Sequence, residues 1–523
     1  MAASTGESVD DRNNYKICII GGGMAGLSAA NHLLKNNFND FVIVEARNRI
    51  GGRICSTKIG EDNIELGANW IHGVLGNPIF ELAMANGLIN IINCPKPHKV
   101  VAAMEDGKQL PFPILQEIYE AYVCFLRRCG EYFLSAYMPP EGINSVGEHI
   151  KLESTLYLSS LPEDQRKTRQ LLFDCLLKRE TCITGCDSMD QVDLLEMGSY
   201  AELQGGNISL PGGYSSILEP VTKHIPKDKI LLGHPVTEIR WQSPAGDESP
   251  KSSIRVTCSN GKTITANQLI CTLPLGVLKK HPTIFNPPLP QYKKEAIDKL
   301  MFGTVDKIFL EYDRPFLNPG VSEVLLLWDD TASDSEDTNE KDISKTWYRK
   351  IYSFTKLSET LLLAWISGRE AEYMESLTTK EISDACTMIL RKFLNDPFVP
   401  LPKNCLRTSW FSQPWTCGSY TAVAIGSSQL DIEALAEPLV AEDPDDPEAG
   451  SKEIIVAFAG EHTHSSFYST VHGAYLTGRT AAASLIESKK FCNETRVSSE
   501  QRLSLICEDT SDLSSWIQGI SLN

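Results

Sequence analysis

The sequence lacks any run of about 18 apolar residues, the length needed to cross a bilayer. It also lacks a basic surplus. Lys and Arg total 49 against 67 Asp and Glu, a net charge of −18. Nucleic acid and anionic membrane surfaces both require a basic face, so neither is an expected partner. A polycationic small molecule, in contrast, would be drawn toward an acidic cleft. Metal-ligand spacing is missing as well. The 15 cysteines are scattered. Cys182 and Cys186 have CxxxC spacing, but no second His/Cys pair lies near enough to complete the four ligands of a structural zinc, and no metal site is expected. Cys18 and Cys271 sit inside apolar runs, as reduced, buried thiols do. The first residues are polar and have no apolar signal core. The chain is therefore expected in the cytoplasm, with residues 1–13 as a disordered lead.

What the sequence does contain begins directly after that lead. The run Tyr15–Ile20 is apolar and β-branched, and stops at Gly21-Gly22-Gly23. Helical, alanine-rich spacing follows from Met24 to Leu34, then a short apolar strand, Phe41–Val44, that ends at Glu45. Within this strand–turn–helix–strand unit lies Gly21-x-Gly23-x-x-Gly26. The first glycine allows the tight turn, the second lets backbone approach a pyrophosphate, and the third lets helix pack on strand. The helix N-terminus offers free N–H groups to phosphate. Glu45, about 20 residues on, can hydrogen-bond a ribose hydroxyl. Arg47 and then Gly51-Gly52-Arg53 form a second glycine turn whose arginines can reach the pyrophosphate.

At 523 residues the chain is long enough for several folding units. Residues from about 111 to 195 read as helices, with amphipathic stretches at Ile114–Arg128 and Lys167–Leu177. Short strands dominate from Ile208 to Leu275, and helix and strand alternate from Tyr292 to Ile425. Asp329–Asp342 and Ala441–Gly450 are acidic and almost free of apolar residues, which predicts surface loops.

The glycine doublet with its arginine resembles the flavin amine oxidases, and further motifs extend the resemblance over about residues 15–488. Glu65-Leu66-Gly67-Ala68-Asn69-Trp70-Ile71-His72-Gly73 is similar to the segment passing the flavin ring in polyamine oxidases. Thr272-Leu273-Pro274-Leu275-Gly276-Val277-Leu278-Lys279 resembles the family's TxPLGVLK turn. Gly303-Thr304-Val305-Asp306-Lys307-Ile308 resembles the strand with the flavin-facing lysine. Ala459-Gly460-Glu461-His462-Thr463 and Tyr468-Ser469-Thr470-Val471-His472-Gly473-Ala474 resemble the closing flavin motif. Tyr348-Arg349-Lys350 and Met374-Glu375-Ser376-Leu377 lie in stretches nearer the animal acetylpolyamine and spermine oxidases than the plant enzymes.

The resemblance implies an α/β, two-domain flavin amine oxidase fold. A discontinuous, Rossmann-like FAD domain would combine 14–90, 206–290 and 435–489. An α+β substrate domain would combine 91–205 and 291–434, with 490–523 as a tail. FAD would be held by Gly21, Gly23, Gly26, Glu45, Arg47, Arg53, Gly67, Ala68, Asn69, Trp70, Val236, Glu461, Thr470 and Val471. Lys307 would hold a water near the flavin and assist its reoxidation. His72 would hydrogen-bond the amine or help keep it unprotonated. His462, His464 and His472 are not assigned to catalysis. Tyr420, Tyr468 and Ser199 would contact substrate, with Trp410 a further candidate for the aromatic wall. Gly418-Ser419-Tyr420 stands where monoamine oxidases carry a flavin-linked cysteine, which implies non-covalent FAD, although Cys417 is close by. Peroxisomal members end in a Ser-Lys-Leu-like tripeptide and this chain in Ser521-Leu522-Asn523, so a peroxisomal or nuclear location stays open but without a clear signal. The implied reaction takes a polyamine and O2 to an aldehyde, a shorter polyamine and H2O2, in a monomer. Two alternatives stand beside it: an amino-acid oxidase, which would need a cavity arginine to clamp a carboxylate that no motif supplies, and a non-catalytic flavoprotein scaffold, against which Lys307 and His72 argue.

Overall fold

The computed structural model describes residues 13–89, 99–135, 137–242, 254–329, 342–441 and 453–493. The expected lead, most of the two acidic loops and nearly all of the tail lie outside the described residues. Two large sheets organise the rest. In the first, the strand Asn14–Ile20 runs parallel to Phe41–Val44 on one side and to Thr263–Cys271 on the other. Val, Ile and Phe fill these strands because both faces are covered, and Phe41–Val44 is buried throughout. Nine strands make up this sheet, and they lie within 14–44, 230–286 and 439–458.

The helix Met24–Lys35 packs on the sheet together with Val471–Asn493, near the far end of the chain. Small residues make the approach possible. A Cβ on Gly478 would lie 2.1 Å from the Ala25 carbonyl oxygen. The last helix thus brings the closing motif to the first glycine turn.

The second sheet has six strands, in the order Asn404–Arg407, Val305–Glu311, Leu361–Ser367, Ser353–Ser358, Val321–Leu327 and Lys99–Met104. All pairings are antiparallel except the last, and Lys307 stands directly opposite Trp365. Three long helices, Phe112–Ser135, Val146–Ser159 and Glu163–Thr184, cover one face through a shared apolar core. The second of them starts in a capping box, Ser145 with Glu148, each side chain bonded to the other's backbone N–H. The third ends at Gly185 in the left-handed conformation. Gly185 meets Gly303 backbone to backbone: Thr304 N donates to Gly185 O at 3.1 Å, and a Cβ on Gly303 would lie 2.0 Å from that oxygen.

Candidate active site

One cavity of about 1870 Å³ is lined by residues of both sheets. A drug-sized ligand needs roughly 300–1,000 Å³, so this volume suits a dinucleotide and a second molecule together. Gly21 and Gly23 line its nucleotide end, together with Glu45, Arg47, Arg53, Gly67, Ala68, Asn69, Trp70, Val236, Glu461, Thr470 and Val471. Gly21 has φ +105°, and its missing Cβ would lie 2.3 Å from Thr272 Oγ1. Gly26 does not line the cavity. Its absent side chain would fall 2.0 Å from Gly21 O, so it serves helix–strand contact. Glu45 is buried, and its carboxylate accepts from Gly22 N at 2.7 Å and Arg47 N at 2.8 Å. These bonds shape the turn and leave lone pairs for a sugar hydroxyl.

The arginines divide the work. Arg49 is tied to the carbonyls of Ile50, Gly52 and Ile54. Arg53 donates at 2.8 Å to Ser419 O and to Glu461, whose carboxylate also accepts from Ser469 N and Thr421 Oγ1. Burial lowers the Arg47 pKa, and its Nη2 is buried without a partner. A buried guanidinium N–H is costly unless something accepts it. An orphaned guanidinium beside a glycine cradle at a helix N-terminus fits the pyrophosphate of a dinucleotide.

Lys307 lies at the boundary between the two ends. Its Nζ donates to Glu65 O at 2.7 Å, Gly67 O at 2.8 Å and Asn69 Oδ1 at 3.3 Å, and sits 4.5 Å from the centre of the Trp365 ring. Burial lowers its pKa to about 7, with the Glu65 charge opposing. Trp365 stacks on Trp70 with ring centres 5.8 Å apart. His72 holds Asn207 Oδ1 at 2.9 Å through Nδ1, which leaves Nε2 with the lone pair. Burial lowers its pKa, so the ring is neutral at pH 7. His462 and His472, both pushed down to about 4 by burial, are absent from the cavity lining.

Among the expected substrate contacts, Tyr420 and Tyr468 line the cavity. The Tyr420 hydroxyl donates to Cys182 O at 2.6 Å, so it presents its ring face. Ser199 does not reach the lining; it is buried behind Tyr468, 3.3 Å from that hydroxyl. Tyr200 takes the exposed position and meets Tyr468 edge to face. Trp410 lines the cavity, yet its indole N–H is tied to Leu66 O at 2.9 Å.

Sequence reasoning missed the carboxylates at the substrate end: Glu180, Glu196, Glu202 and Glu323 line it, with Asp62 and Asp193. Burial raises the Glu180 pKa to about 7, against the opposing charge of Arg179. Arg179 lines the same cavity, an arginine that no sequence motif supplied.

Comparison with known proteins agrees with this geometry. Residues 24–486 match the family described as Flavin containing amine oxidoreductase. The human peroxisomal N(1)-acetyl-spermine/spermidine oxidase is 34% identical, over 92% of this chain and 97% of that protein. Probable polyamine oxidase 5 of Arabidopsis thaliana is 30% identical, over 91% of this chain and 99% of that protein. A putrescine oxidase structure with bound putrescine superposes with a TM-score of 0.64 at 17% identity, covering 91% of this chain and 99% of that one, a likeness of fold. The family match covers nearly all of the described residues after the first glycine turn, so this chain belongs to the flavin-containing amine oxidoreductases and is an FAD-dependent amine oxidase.

Proposed function

We propose that the enzyme oxidises polyamines, spermine or N1-acetylated spermine and spermidine, at a secondary amine. Amine, O2 and water give an aldehyde, a shorter polyamine and H2O2. The observation that carries this reading is the cavity's make-up. Besides the cradle, the lining carries aromatic rings (Trp365, Tyr200, Tyr420 and Tyr468) and carboxylates. Ring faces and carboxylates both hold protonated amines, and the apolar walls confine the methylene chain between them.

Bound FAD supplies the electron acceptor. The chain's own groups do the rest. His72 Nε2 accepts a proton or hydrogen bond from the reacting amine, which must be neutral to lose electrons. Glu180 and Glu202 hold nitrogens that stay charged. As an ammonium, Lys307 has each of its three protons on a protein acceptor. The long Asn69 contact is the one a water would displace, and a pKa near 7 lets the amine exchange a proton with that water. FAD is held without a covalent link: the Cys417 thiol donates to Pro414 O and does not line the cavity. The segregation of strands between the sheets supports the discontinuous domain division given by the sequence. The described cysteines are all free thiols, which suits a reducing compartment and supports the cytoplasm. We propose a monomer.

The second reading is an amino-acid oxidase, which Arg179 favours, since a guanidinium clamps a carboxylate. Peroxide release with spermine, N1-acetylspermine, spermidine, benzylamine and L-leucine in parallel separates the two. Turnover confined to the polyamines is expected. Turnover of leucine would assign Arg179 the clamp and overturn the polyamine reading.

A further inference from the structure

Two buried acids outside the cavity lining, Asp306 and Glu375, stand against the segment 408–412. Asp306 immediately precedes Lys307 on its strand. Its Oδ1 accepts from Thr408 Oγ1 at 2.5 Å and from Trp410 N at 3.2 Å. Glu375 accepts from Phe411 N and Ser412 N, both at 2.8 Å. The two carboxyl groups thus hold the consecutive N–H groups of Trp410, Phe411 and Ser412, which sets them side by side. Asp306 Oδ2 is buried and receives no donor. A buried acceptor with no donor is costly, and two ionised carboxylates in contact repel. Both problems vanish if Oδ2 carries a proton and donates it to Glu375.

Both ends of Lys307 depend on what this pair holds. Thr408 Oγ1, anchored on Asp306, accepts from Lys307 N at 2.9 Å. Trp410, anchored by its N–H, donates through its indole to Leu66 O and packs against Gly67. Glu65 and Gly67, on either side of Leu66, give the carbonyls that hold Lys307 Nζ. The other charged groups nearby are Glu372, which accepts from Thr304 and itself faces Glu375, Asp187 and Glu370, and Arg407, whose Nη2 donates to the Glu375 carbonyl. We propose that Asp306 and Glu375 share a single proton and act as a positioning pair that fixes Trp410 and the 65–67 segment, and through them the Lys307 amine. Burial and the Glu375 charge together keep the Asp306 carboxyl protonated well above the usual carboxylate range.

The proposal rests on the reading of Lys307 as the working amine, yet its first test needs no turnover. The folded chain keeps a proton that the unfolded chain releases above about pH 4. This acid therefore costs the wild type stability as pH rises, until the pair itself ionises. In Asp306→Asn the carboxamide keeps donating to Glu375 and accepting from Thr408 and Trp410 at every pH. The melting temperature of that holoenzyme, minus that of the wild type, should climb from about pH 4 upward, by roughly 1 °C per pH unit, until the pair ionises. Asp306→Leu, which has neither donor nor acceptor, should lower kcat about tenfold with a smaller change in KM for spermine. A melting-temperature difference that is flat with pH would overturn the shared proton, as would an Asp306→Asn chain that cannot fold. A climbing difference with normal kcat in Asp306→Leu would keep the proton and remove the link to Lys307.

Discussion

The two ends of the cavity are built by opposite means. The nucleotide end is backbone: three glycines, a helix N-terminus, and a carboxylate that organises N–H groups, most of it within residues 21–53. The substrate end is side chains delivered from distant segments: Glu180 from a helix terminus, Tyr200 and Glu202 from a turn, Trp365 from a strand, and Tyr468 from the closing motif. A pyrophosphate is the same in every dinucleotide enzyme and can be met by backbone alone. A flexible polycation has to be met by charges and rings placed at particular depths.

This contrast predicts how each end fails. The largest effect should come from Gly26→Val, whose Cβ would fall 2.0 Å from Gly21 O. Overpacking at a helix–strand contact leaves no room for relaxation. The purified variant should carry essentially no bound flavin absorbance; full FAD content would show that the turn is less rigid than described. Next is Lys307→Met, which removes the one cation held at the boundary between the two ends. Reoxidation of the reduced enzyme by O2, followed by stopped flow, should slow roughly 100-fold while FAD content stays normal. Equal losses of both would make Lys307 part of the nucleotide end instead. The smallest effect belongs to the substrate end. Glu180→Gln should raise KM for spermine about tenfold, the value of one charge contact of ~1.4 kcal/mol, and leave benzylamine untouched. The pH dependence has a definite sign. With a carboxyl pKa near 7, Glu180 is an anion above that pH and neutral below it. Wild-type KM for spermine should therefore climb as pH falls through 7, and the glutamine variant should flatten the climb.

The same contrast explains what the sequence revealed. Gly21-x-Gly23-x-x-Gly26 and Glu45 were legible because local backbone geometry dictates residue type at fixed spacing. The strand Phe41–Val44 was read to the residue, since a strand buried on both faces is a continuous apolar run. Lys307 and Trp70 came through resemblance, carried by long motifs. Ser199 was placed at the substrate and lies behind Tyr468 instead, because a one-residue rotation in a tight 3-10 turn exchanges Ser199 for Tyr200. Glu180 and Arg179 stayed hidden: nothing in a helical heptad marks which polar residue meets a cavity and which meets water.

The contact between Gly185 and Gly303 carries one more consequence. It joins the end of the helix bearing Glu180 to the strand bearing Lys307 with no side chain between them. The spacing between the two backbones that carry the anion and the reaction centre is thus set by direct backbone contact, as divisions are cut into a gauge. An enzyme built this way counts methylenes. On the proposed polyamine reading, that spacing would set which carbon–nitrogen bond is opened, by how far along the chain the next charged nitrogen lies.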